Sequence, residues 1–324
     1  MLYPLKFIPI YKSMVWGGDK ICQYKGIESG QKNIGESWEL SGVAGNESVV
    51  ANGEYAGRTI VELISEFREQ LLGLKLYEVY GNKFPLLIKF IDARDDLSIQ
   101  VHPDDAMAKS IHGEAFGKTE MWYVVSADQG AHLMSGLSTT VTPEEYVTRV
   151  DNNTITDVLC DYEVSPGDVF FLPAGRIHSI GQGCFIAEIQ QTSDLTYRIY
   201  DFGRLGLDGN PRELHTELAK AAIDYSVSED YRTDYKSVIN EDTPLVECEY
   251  FKTHLLDLTE SVSVDIKSKD SFMIAICIEG AGKLKDSYGN TVLLKQGETL
   301  LIPAITEWIN LTPCTSMKLL TCWV

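Results

Sequence analysis

Short runs in which apolar and polar residues alternate recur along the chain and predict β-strands, because successive strand side chains point to opposite faces of a sheet. In one such run, Ser98, Gln100 and His102 alternate with two apolar residues. The strand-like runs of the first two thirds are Pro85–Ala93, Ser98–His102, Thr119–Ser126, Asp157–Glu163, Asp168–Leu172, Cys184–Gln191 and Tyr197–Asp201. We therefore expect a mainly β, antiparallel fold.

The remaining third of the chain repeats this character after a polar interruption. The stretch Tyr225–Thr243 is charged and lacks apolar periodicity, which indicates a linker. From Pro244 onward the pattern is again strand-like, with hairpin turns at Gly280-Ala281-Gly282 and Tyr288-Gly289-Asn290. We expect a first domain of residues 1–225 with additional N-terminal strands, a linker at 226–243 and a second domain at 244–324.

Three segments carry helix start signals and are predicted to be accessory helices. The segment from Thr59 to about Leu72 opens with a Thr-x-x-Glu capping box. At Thr142 a threonine cap precedes a proline in the first turn. The third helix is predicted from Asn210 to about Asp224. We expect these helices to be accessories to an antiparallel sheet.

A spaced motif at Gly167–His178 narrows the fold class. It consists of a glycine, five residues, Pro-x-Gly, two residues and a histidine. This arrangement is typical of the second motif of the cupin superfamily, which forms a jelly roll. The stretch Gly297–Trp308 repeats the spacing, but Trp308 stands where the metal-binding histidine would be. The sequence therefore predicts two cupin-type jelly-roll barrels with a few accessory helices, the second without a metal site.

Composition and charge exclude several classes of function. The formal net charge is −19 with no basic run, which argues against nucleic acid or an anionic membrane surface as the partner. No apolar run is long enough to span a bilayer, and the N-terminus, interrupted by Pro4 and Pro9, does not resemble a secretory signal. The seven cysteines form no C-x-x-C pair, which indicates reduced thiols. We expect a cytoplasmic protein that acts on a small molecule.

Four residues on these strands form a candidate metal site. They are Gln100, His102, Glu120 and His178. Two imidazoles, a carboxylate and an amide oxygen suit one borderline divalent ion per chain, zinc first, with iron, manganese or cobalt as alternatives. An open coordination position would make the site catalytic. His112, His132, His215 and His254 lack a matching motif and are predicted to be structural or exposed.

Several cations lie in or beside the segments that carry these motifs, namely Lys89, Lys118, Arg198 and Arg204. Cations concentrated near a metal site favour an anionic substrate. Lys118 lies two residues before Glu120 on the same strand face, so its amine is expected to share the cleft with that carboxylate. It could serve as an acid or base, or hold a phosphate.

The motifs taken together resemble the type I mannose-6-phosphate isomerase family in its short bacterial form. The strings that carry the resemblance are Val15-Trp16-Gly17-Gly18, Leu97–Asp104, Gly117–Trp122, Pro173–His178 and Glu188–Arg198. Where many relatives have Lys-Pro-Glu, this chain has Lys118-Thr119-Glu120. The chain is also too short to hold the helical domain that is inserted in longer members, and this leaves its fine substrate preference open.

The resemblance implies a function and assigns site residues. It implies interconversion of mannose 6-phosphate and fructose 6-phosphate through a cis-enediolate, with the zinc ligands named above. Arg198 resembles the active-site arginine of the family and would hold negative charge, with Lys118 beside it. Glu188 is a candidate general base, and Ser98 resembles the serine near the phosphate.

Two other functions remain open from the sequence. Two histidines and a carboxylate on a cupin also describe the iron site of metal-dependent dioxygenases, although the motifs around Lys118 and Arg198 speak against this. A sugar-binding cupin without catalytic activity is the third possibility, since the fold hosts many functions. Oxygen consumption by iron-bound protein would favour the dioxygenase.

Overall fold

The computed structural model describes residues Met1–Val324, and its architecture is mainly β with a few short helices, as predicted. The strands are β1 Leu5–Ile8, β2 Ile10–Gly18, β3 Ile34–Leu40, β4 Val49–Val50, β5 Leu86–Asp92, β6 Ile99–Val101, β7 Glu120–Ala127, β8 His132–Leu137, β9 Leu159–Glu163, β10 Val169–Leu172, β11 His178–Ile180, β12 Cys184–Gln191, β13 Tyr197–Tyr200, β14 Asp242–Glu247, β15 Lys252–Leu258, β16 Val262–Asp265, β17 Met273–Asp286, β18 Thr291–Lys295, β19 Thr299–Ile302 and β20 Trp308–Trp323. The α-helices are α1 Lys20–Lys25, α2 Ile60–Phe67, α3 Glu69–Leu72, α4 Leu74–Tyr80, α5 Asp105–Met107, α6 Pro143–Asp151 and α7 Thr216–Ala222.

Two antiparallel sheets form the first part of the molecule. One has six strands in the order β10-β7-β12-β5-β3-β2, and the other has five in the order β13-β6-β11-β8-β9. Apolar residues of both sheets share one core, for example Ile91 and Trp122 from the first sheet with Leu133 and Ile180 from the second. The two sheets therefore face each other, as in the predicted jelly roll.

The second part is built on a nine-stranded sheet that also takes up the N-terminal strand. Its path is β14-β15-β20-β17-β19-β1-β4, with β16 and β18 attached at the side. Leu5 of β1 lies opposite Leu301 of β19. The predicted division at residues 226–243 stays a prediction, but the first strand of the chain pairs within the sheet of the second part.

The largest apolar core joins the two parts. Along β12, Ala187 and Ile189 belong to this core of 34 buried residues, while Glu188 between them points to the opposite face of the sheet. Along β17, Ile274 and Ile276 belong to the same core. The six-stranded sheet therefore has one face against the second part and one face toward its partner sheet.

The predicted accessory helices are only partly confirmed. The capping box at Thr59 is present, but the helix that follows is interrupted at Arg68, so that α2 and α3 replace one helix, and α4 follows directly. The helix predicted from Asn210 is confined to α7; before it, Pro211 forms an isolated bridge with Leu205 and residues 212–215 are irregular. The predicted strand at Asp157 begins as a short 3-10 turn before β9. None of the helices has the length and apolarity needed to cross a membrane.

Candidate metal centre and active site

Three of the four predicted ligands converge at one buried point. His102 follows β6, Glu120 begins β7 and His178 begins β11, so the site lies between the two facing sheets. Their candidate ligand atoms all lie within 4.8 Å of one another. His178 Nε2 is 3.3 Å from one oxygen of Glu120, and His102 Nε2 is 3.5 Å from the other. These three side chains form a group that can hold a metal ion.

The far side of each imidazole is fixed by a backbone carbonyl. His102 Nδ1 donates to the oxygen of Leu195 at 2.9 Å, and His178 Nδ1 donates to the oxygen of Arg176 at 2.8 Å. These bonds place the ring proton on Nδ1 and leave the Nε2 lone pair directed at Glu120. Both histidines therefore have the tautomer that a metal ligand requires.

The buried atoms of this group lack hydrogen-bond partners. His102 Nε2 and both carboxylate oxygens of Glu120 make no hydrogen bond. Burial raises the pKa of Glu120, and the charge of Glu188 raises it further. Burial also lowers the pKa of His102, and it lowers that of His178 to about 4. Unsatisfied buried polar atoms are costly, so this donor set fits a divalent cation that would satisfy all three.

Gln100 completes the predicted set from the neighbouring strand position. It lies directly opposite His178 in the β6–β11 pairing, and its amide group is 3.3 Å from His178 Nε2. The amide nitrogen is the nearer atom in this orientation, and a rotation of the amide would present the oxygen instead. The structure thus brings all four predicted ligands together.

A cleft of about 320 Å³ reaches the metal group at Gln100, which is the one candidate ligand in its lining. Its polar lining comes from both sheets and from the loops that follow them. The polar lining residues are Glu36, Lys89, Ser98, Gln100, Lys118, Glu188, Asp194, Thr196, Arg198 and Arg212. Every predicted catalytic or substrate-binding residue is therefore in this cleft.

Glu188 is held from both sides by its strand neighbours. Lys89 of β5 and Trp122 of β7 lie directly opposite it in the two pairings. The Trp122 indole donates to Glu188 Oε2 at 2.9 Å, and the Lys89 amine is 3.2 Å from Oε1. Burial alone would raise the pKa of Glu188, but Lys89 and Lys118 lower it below its usual value. Glu188 is therefore an oriented, ionised carboxylate.

Lys118 lies two residues before β7, and Ser98 lies one residue before β6. The Lys118 amine is 3.5 Å from Glu120 Oε2 and is almost fully buried. The Ser98 side chain lines the cleft and makes no hydrogen bond within the protein. Next to Lys118, the backbone N–H of Thr119 donates to the Gln191 side chain at 2.8 Å, a bond that a proline at this position could not make.

Arg198 lies on β13 directly opposite Gln100. Its Nη1 donates to the carbonyl of Glu213 at 3.1 Å, and its buried Nε has no partner. His215 fixes the backbone of Arg198 by accepting from its N–H at 3.0 Å. Arg204, a predicted cation, does not line the cleft but lies behind it against Asp201.

Four polar cleft residues were not predicted from the sequence: Glu36, Asp194, Thr196 and Arg212. Glu36 is 3.8 Å from Lys89 and accepts a 2.6 Å hydrogen bond from the Trp38 indole. Strand alternation along Ile34–Glu39 could have placed Glu36 and Trp38 on one face, but no signal in that run identifies the face as the wall of a cleft. Arg212 lies in an irregular loop, where no periodicity applies.

The N-terminal Val15-Trp16-Gly17-Gly18 string shapes one edge of the cleft. Trp16 is buried and lines the cleft. At Gly17 an added Cβ would lie 2.3 Å from the carbonyl oxygen of Asn33 and 2.4 Å from the nitrogen of Gly35. Only glycine permits this close approach of β2 and β3, and the approach holds Trp16 in place.

The second part has no comparable group of ligands. Only one group of three or more candidate ligand residues occurs in the chain, and it is the one described above. Trp308, at the position equivalent to His178, is 40% exposed at the start of β20. This agrees with the prediction that the second jelly roll lacks a metal site.

The family matches cover both parts of the chain. Residues 5–122 match the catalytic domain of type I phosphomannose isomerase, and residues 241–319 match the cupin domain of mannose-6-phosphate isomerase. The mannose-6-phosphate isomerase ManA of Bacillus subtilis is 36% identical over 305 residues, which are 93% of each chain. The mannose-6-phosphate isomerase of Streptococcus mutans is 34% identical over 300 residues, which are 91% of this chain and 90% of the other.

A solved structure of a mannose 6-phosphate isomerase is also similar to this chain. The crystal structure of the mannose 6-phosphate isomerase from Bacillus subtilis superimposes with a TM-score of 0.89 at 32% identity and covers 100% of both chains. The agreement therefore extends over the whole architecture, with both parts included. The chain belongs to the type I phosphomannose isomerase family.

Proposed function

We propose that this protein interconverts mannose 6-phosphate and fructose 6-phosphate, with one zinc ion held by Gln100, His102, Glu120 and His178. The observation that carries the proposal is the buried group of unsatisfied ligand atoms beside a cleft that also holds an oriented carboxylate and several cations. Membership of the family supports the same reaction.

The reaction moves a proton between C2 and C1 of the sugar through a cis-enediolate. It needs a base, stabilisation of the oxyanion and a site for the phosphate. A divalent ion, when bound, supplies Lewis acidity toward the oxygens on C1 and C2. The remaining functions belong to the side chains of the cleft.

Glu188 is the group best arranged to carry the proton. Trp122 donates to its Oε2 at 2.9 Å, and the Lys89 amine lies 3.2 Å from Oε1, so both carboxylate oxygens are oriented by the protein. Lys89 balances its charge and keeps the carboxylate in the ionised form that a base requires. Lys118, on the ligand side, would hold a substrate oxygen.

Arg198 is placed to stabilise the enediolate. It lies opposite Gln100 in the sheet, and it has no carboxylate partner within ion-pair distance. A guanidinium that is not neutralised by the protein can interact with negative charge that develops on the substrate oxygens.

The test is to incubate zinc-loaded protein with mannose 6-phosphate and to follow fructose 6-phosphate by proton NMR, beside a chelator-treated sample. We expect product only with metal, and recovery when zinc is added back. Folded, zinc-bound protein that forms no product would overturn the proposal. Oxygen uptake by the iron-loaded protein would then indicate the dioxygenase.

Metal stoichiometry tests the ligand assignment separately. His178→Ala should reduce bound zinc from about one per chain to a small fraction. The matched control is His132→Ala, because His132 is partly exposed and contacts only Asp161 across β8 and β9. Equal zinc content in the two variants would remove His178 from the ligand set.

A further inference from the structure

An arginine that the motifs do not include lines the cleft at its outer end. Arg212 lies in the loop between β13 and α7. Its Nε donates to Asp201 Oδ2 at 2.7 Å, and its Nη2 donates to Oδ1 of the same carboxylate. Its Nη1 makes no hydrogen bond within the protein. One edge of the guanidinium is therefore fixed, and the other is free to bind a ligand.

The positive charge at this end of the cleft is not neutralised by the protein. Asp201 is shared between Arg212 and Arg204, so two guanidinium groups face one carboxylate. Arg204 is already occupied by the carbonyl oxygen of Asp96. Arg198, the third arginine, has no carboxylate partner, but it lies opposite Gln100 at the metal group.

At the opposite end of the cleft, the positive side chains are paired with carboxylates. Lys89 lies between Glu36 and Glu188, and Lys118 contacts Glu120. Each lysine thus has a carboxylate neighbour. Although the chain has a net charge of −19, the two arginines that share Asp201 leave an excess of positive charge beside the cleft.

The strand register gives the distance between the two ends. Arg198 lies opposite Gln100 and Tyr200 opposite Ile99, so the chain after β13 runs toward Ser98. Ser98 is two residues from Gln100 on the same strand face, or roughly 6.6 Å. That spacing is close to the length of an extended six-carbon chain. A sugar with C1 and C2 near the metal group would place its C6 substituent beside Ser98 and Arg212.

We propose that Arg212, held by Asp201, binds the phosphate group of the substrate beside Ser98 and determines the preference for phosphorylated over free hexose. This inference rests on the proposed isomerase function. An arginine with one edge fixed can donate from its free edge to a phosphate oxygen. Its side chain is already ordered in the folded protein, so phosphate binding costs little further conformational entropy.

The kinetic test compares Arg212→Gln with the wild type. We expect KM for mannose 6-phosphate to rise at least 10-fold while kcat falls less than 3-fold, since the phosphate contact is the same in ground and transition states. The matched control is Arg149→Gln, because Arg149 pairs with Glu145 on α6 and does not line the cleft. Its kinetic constants should equal those of the wild type.

A binding test does not depend on turnover. Titration calorimetry of inorganic phosphate into the zinc-loaded protein should show at least 10-fold weaker binding to Arg212→Gln than to the wild type. Inactive wild-type protein would contradict the proposed function, while the phosphate titration would still decide the role of Arg212.

Two results would overturn the inference: an unchanged KM for mannose 6-phosphate, or equal phosphate affinity in folded wild type and variant. If Arg212→Gln unfolds, Arg212→Lys replaces it in the test. Lysine keeps the positive charge near Asp201 but lacks the several planar N–H donors of the guanidinium. KM should then rise at least 3-fold, and a value equal to that of the wild type would equally overturn the inference.

Discussion

Charged side chains of alternating sign cross the six-stranded sheet on the cleft face. Glu36, Lys89 and Glu188 come from the neighbouring strands β3, β5 and β12, and Trp122 of β7 ends the row. All four are largely buried, and each has a partner on at least one side. Because buried charges persist only when they are paired, the row fixes the orientation of Glu188.

This orientation leads to a prediction for Glu188→Gln. The amide keeps the size of the side chain and can still contact Trp122, but it cannot accept a proton. We expect kcat to fall at least 100-fold, within the range for general base catalysis, with zinc content unchanged. Single-turnover assays and metal analysis would check this, with the exposed Glu144→Gln as control. Turnover within 3-fold of the wild type would assign the base to another residue.

Arg198→Ala should act on the reaction without removing the metal. The guanidinium contacts a backbone carbonyl rather than any of the buried ligands, so zinc content should be unchanged. Turnover should fall at least 100-fold, because the charge that stabilises the enediolate is lost. The measurement is kcat beside bound zinc per chain. Near-normal turnover of the zinc-bound variant would exclude Arg198 from the mechanism.

At the residue scale, strand alternation and the spaced Gly167–His178 motif predicted three of the candidate ligands. Gln100 and His102 share a face of the strand, and the Pro-x-Gly turn directs His178 toward them. Arg212 could not be predicted in this way, because its position depends on Asp201 and on a loop without periodicity. The roles of these residues stay predictions until the variants are measured.

At the element scale, the break between α2 and α3 has an identifiable backbone cause. Arg68 has φ 47° and ψ −121°, a backbone conformation that is unfavourable for every residue except glycine. Gly81 ends α4 with nearly the same angles, φ 57° and ψ −126°. Apolar periodicity predicted one continuous helix here, since periodicity carries no information about a local reversal of φ.

The comparison with Gly81 predicts that Arg68→Gly stabilises the protein. The Arg68 side chain is exposed and makes no hydrogen bond or ion pair, so little is lost with it. Relief of backbone strain should exceed the entropy cost of glycine and raise the free energy of unfolding by roughly 0.5–1 kcal/mol. Chemical denaturation would measure this beside Arg68→Ala, which removes the side chain but keeps the strain. A glycine variant less stable than the alanine variant would contradict it.

A buried histidine in the β14–β15 hairpin predicts a pH dependence of stability. His254 Nδ1 is 2.8 Å from Asp242, and Nε2 is 3.0 Å from Glu247. Burial favours the neutral ring, but the hydrogen bonds to the two carboxylates outweigh it and raise the pKa of His254. The folded state therefore binds the proton more tightly than the unfolded state does.

The sign of this effect follows from the raised pKa. The stabilisation is complete below the unfolded pKa of about 6.5 and is lost as the pH rises through the higher folded pKa. His254→Gln should lower the free energy of unfolding by about 1–2 kcal/mol at pH 5.5 and by less at pH 8.5. Urea unfolding at both pH values is the measurement. A loss that is larger at pH 8.5 would show that the charged histidine is not the stabilising form.

At the scale of the whole molecule, the two parts depend on a shared core. Ile88, Met121 and Ala187 of the six-stranded sheet pack in the same core as Ile276 and Leu320 of the second part. A buried ion pair adds to this contact: the Lys25 amine lies 2.7 Å from Glu39, and it also donates to the carbonyl of Gly297. The second part thus stabilises the sheet that carries Lys89, Trp122 and Glu188.

Truncation after Tyr225 should therefore abolish folding rather than release an active domain. It would expose one face of the six-stranded sheet and remove β19, the partner of β1. We expect insoluble protein, or soluble protein without cooperative unfolding, as measured by circular dichroism and thermal melts. A soluble, fully active fragment would show that the second part is dispensable.

The mainly β architecture and the repeated jelly-roll motif could be predicted because both depend on local periodicity and turns. The entry of β1 and β4 into the sheet of the second part could not, since pairing between distant strands leaves no trace in either strand. The sequence pattern therefore predicts which residues of a strand are buried. It predicts less well which other strand lies beside that strand in the sheet.

The pairing of β1 with β19 has a consequence for synthesis on the ribosome. About 300 residues separate Leu5 from Leu301, so the first strand to leave the exit tunnel cannot pair until almost the whole chain has been made. Until then β1 has an open edge toward the missing β19, and the sheet that bears Glu188 has an uncovered apolar face. The nascent chain is therefore most vulnerable to aggregation just before completion, and a ribosome that stalls late in the message would leave an intermediate that chaperones must hold.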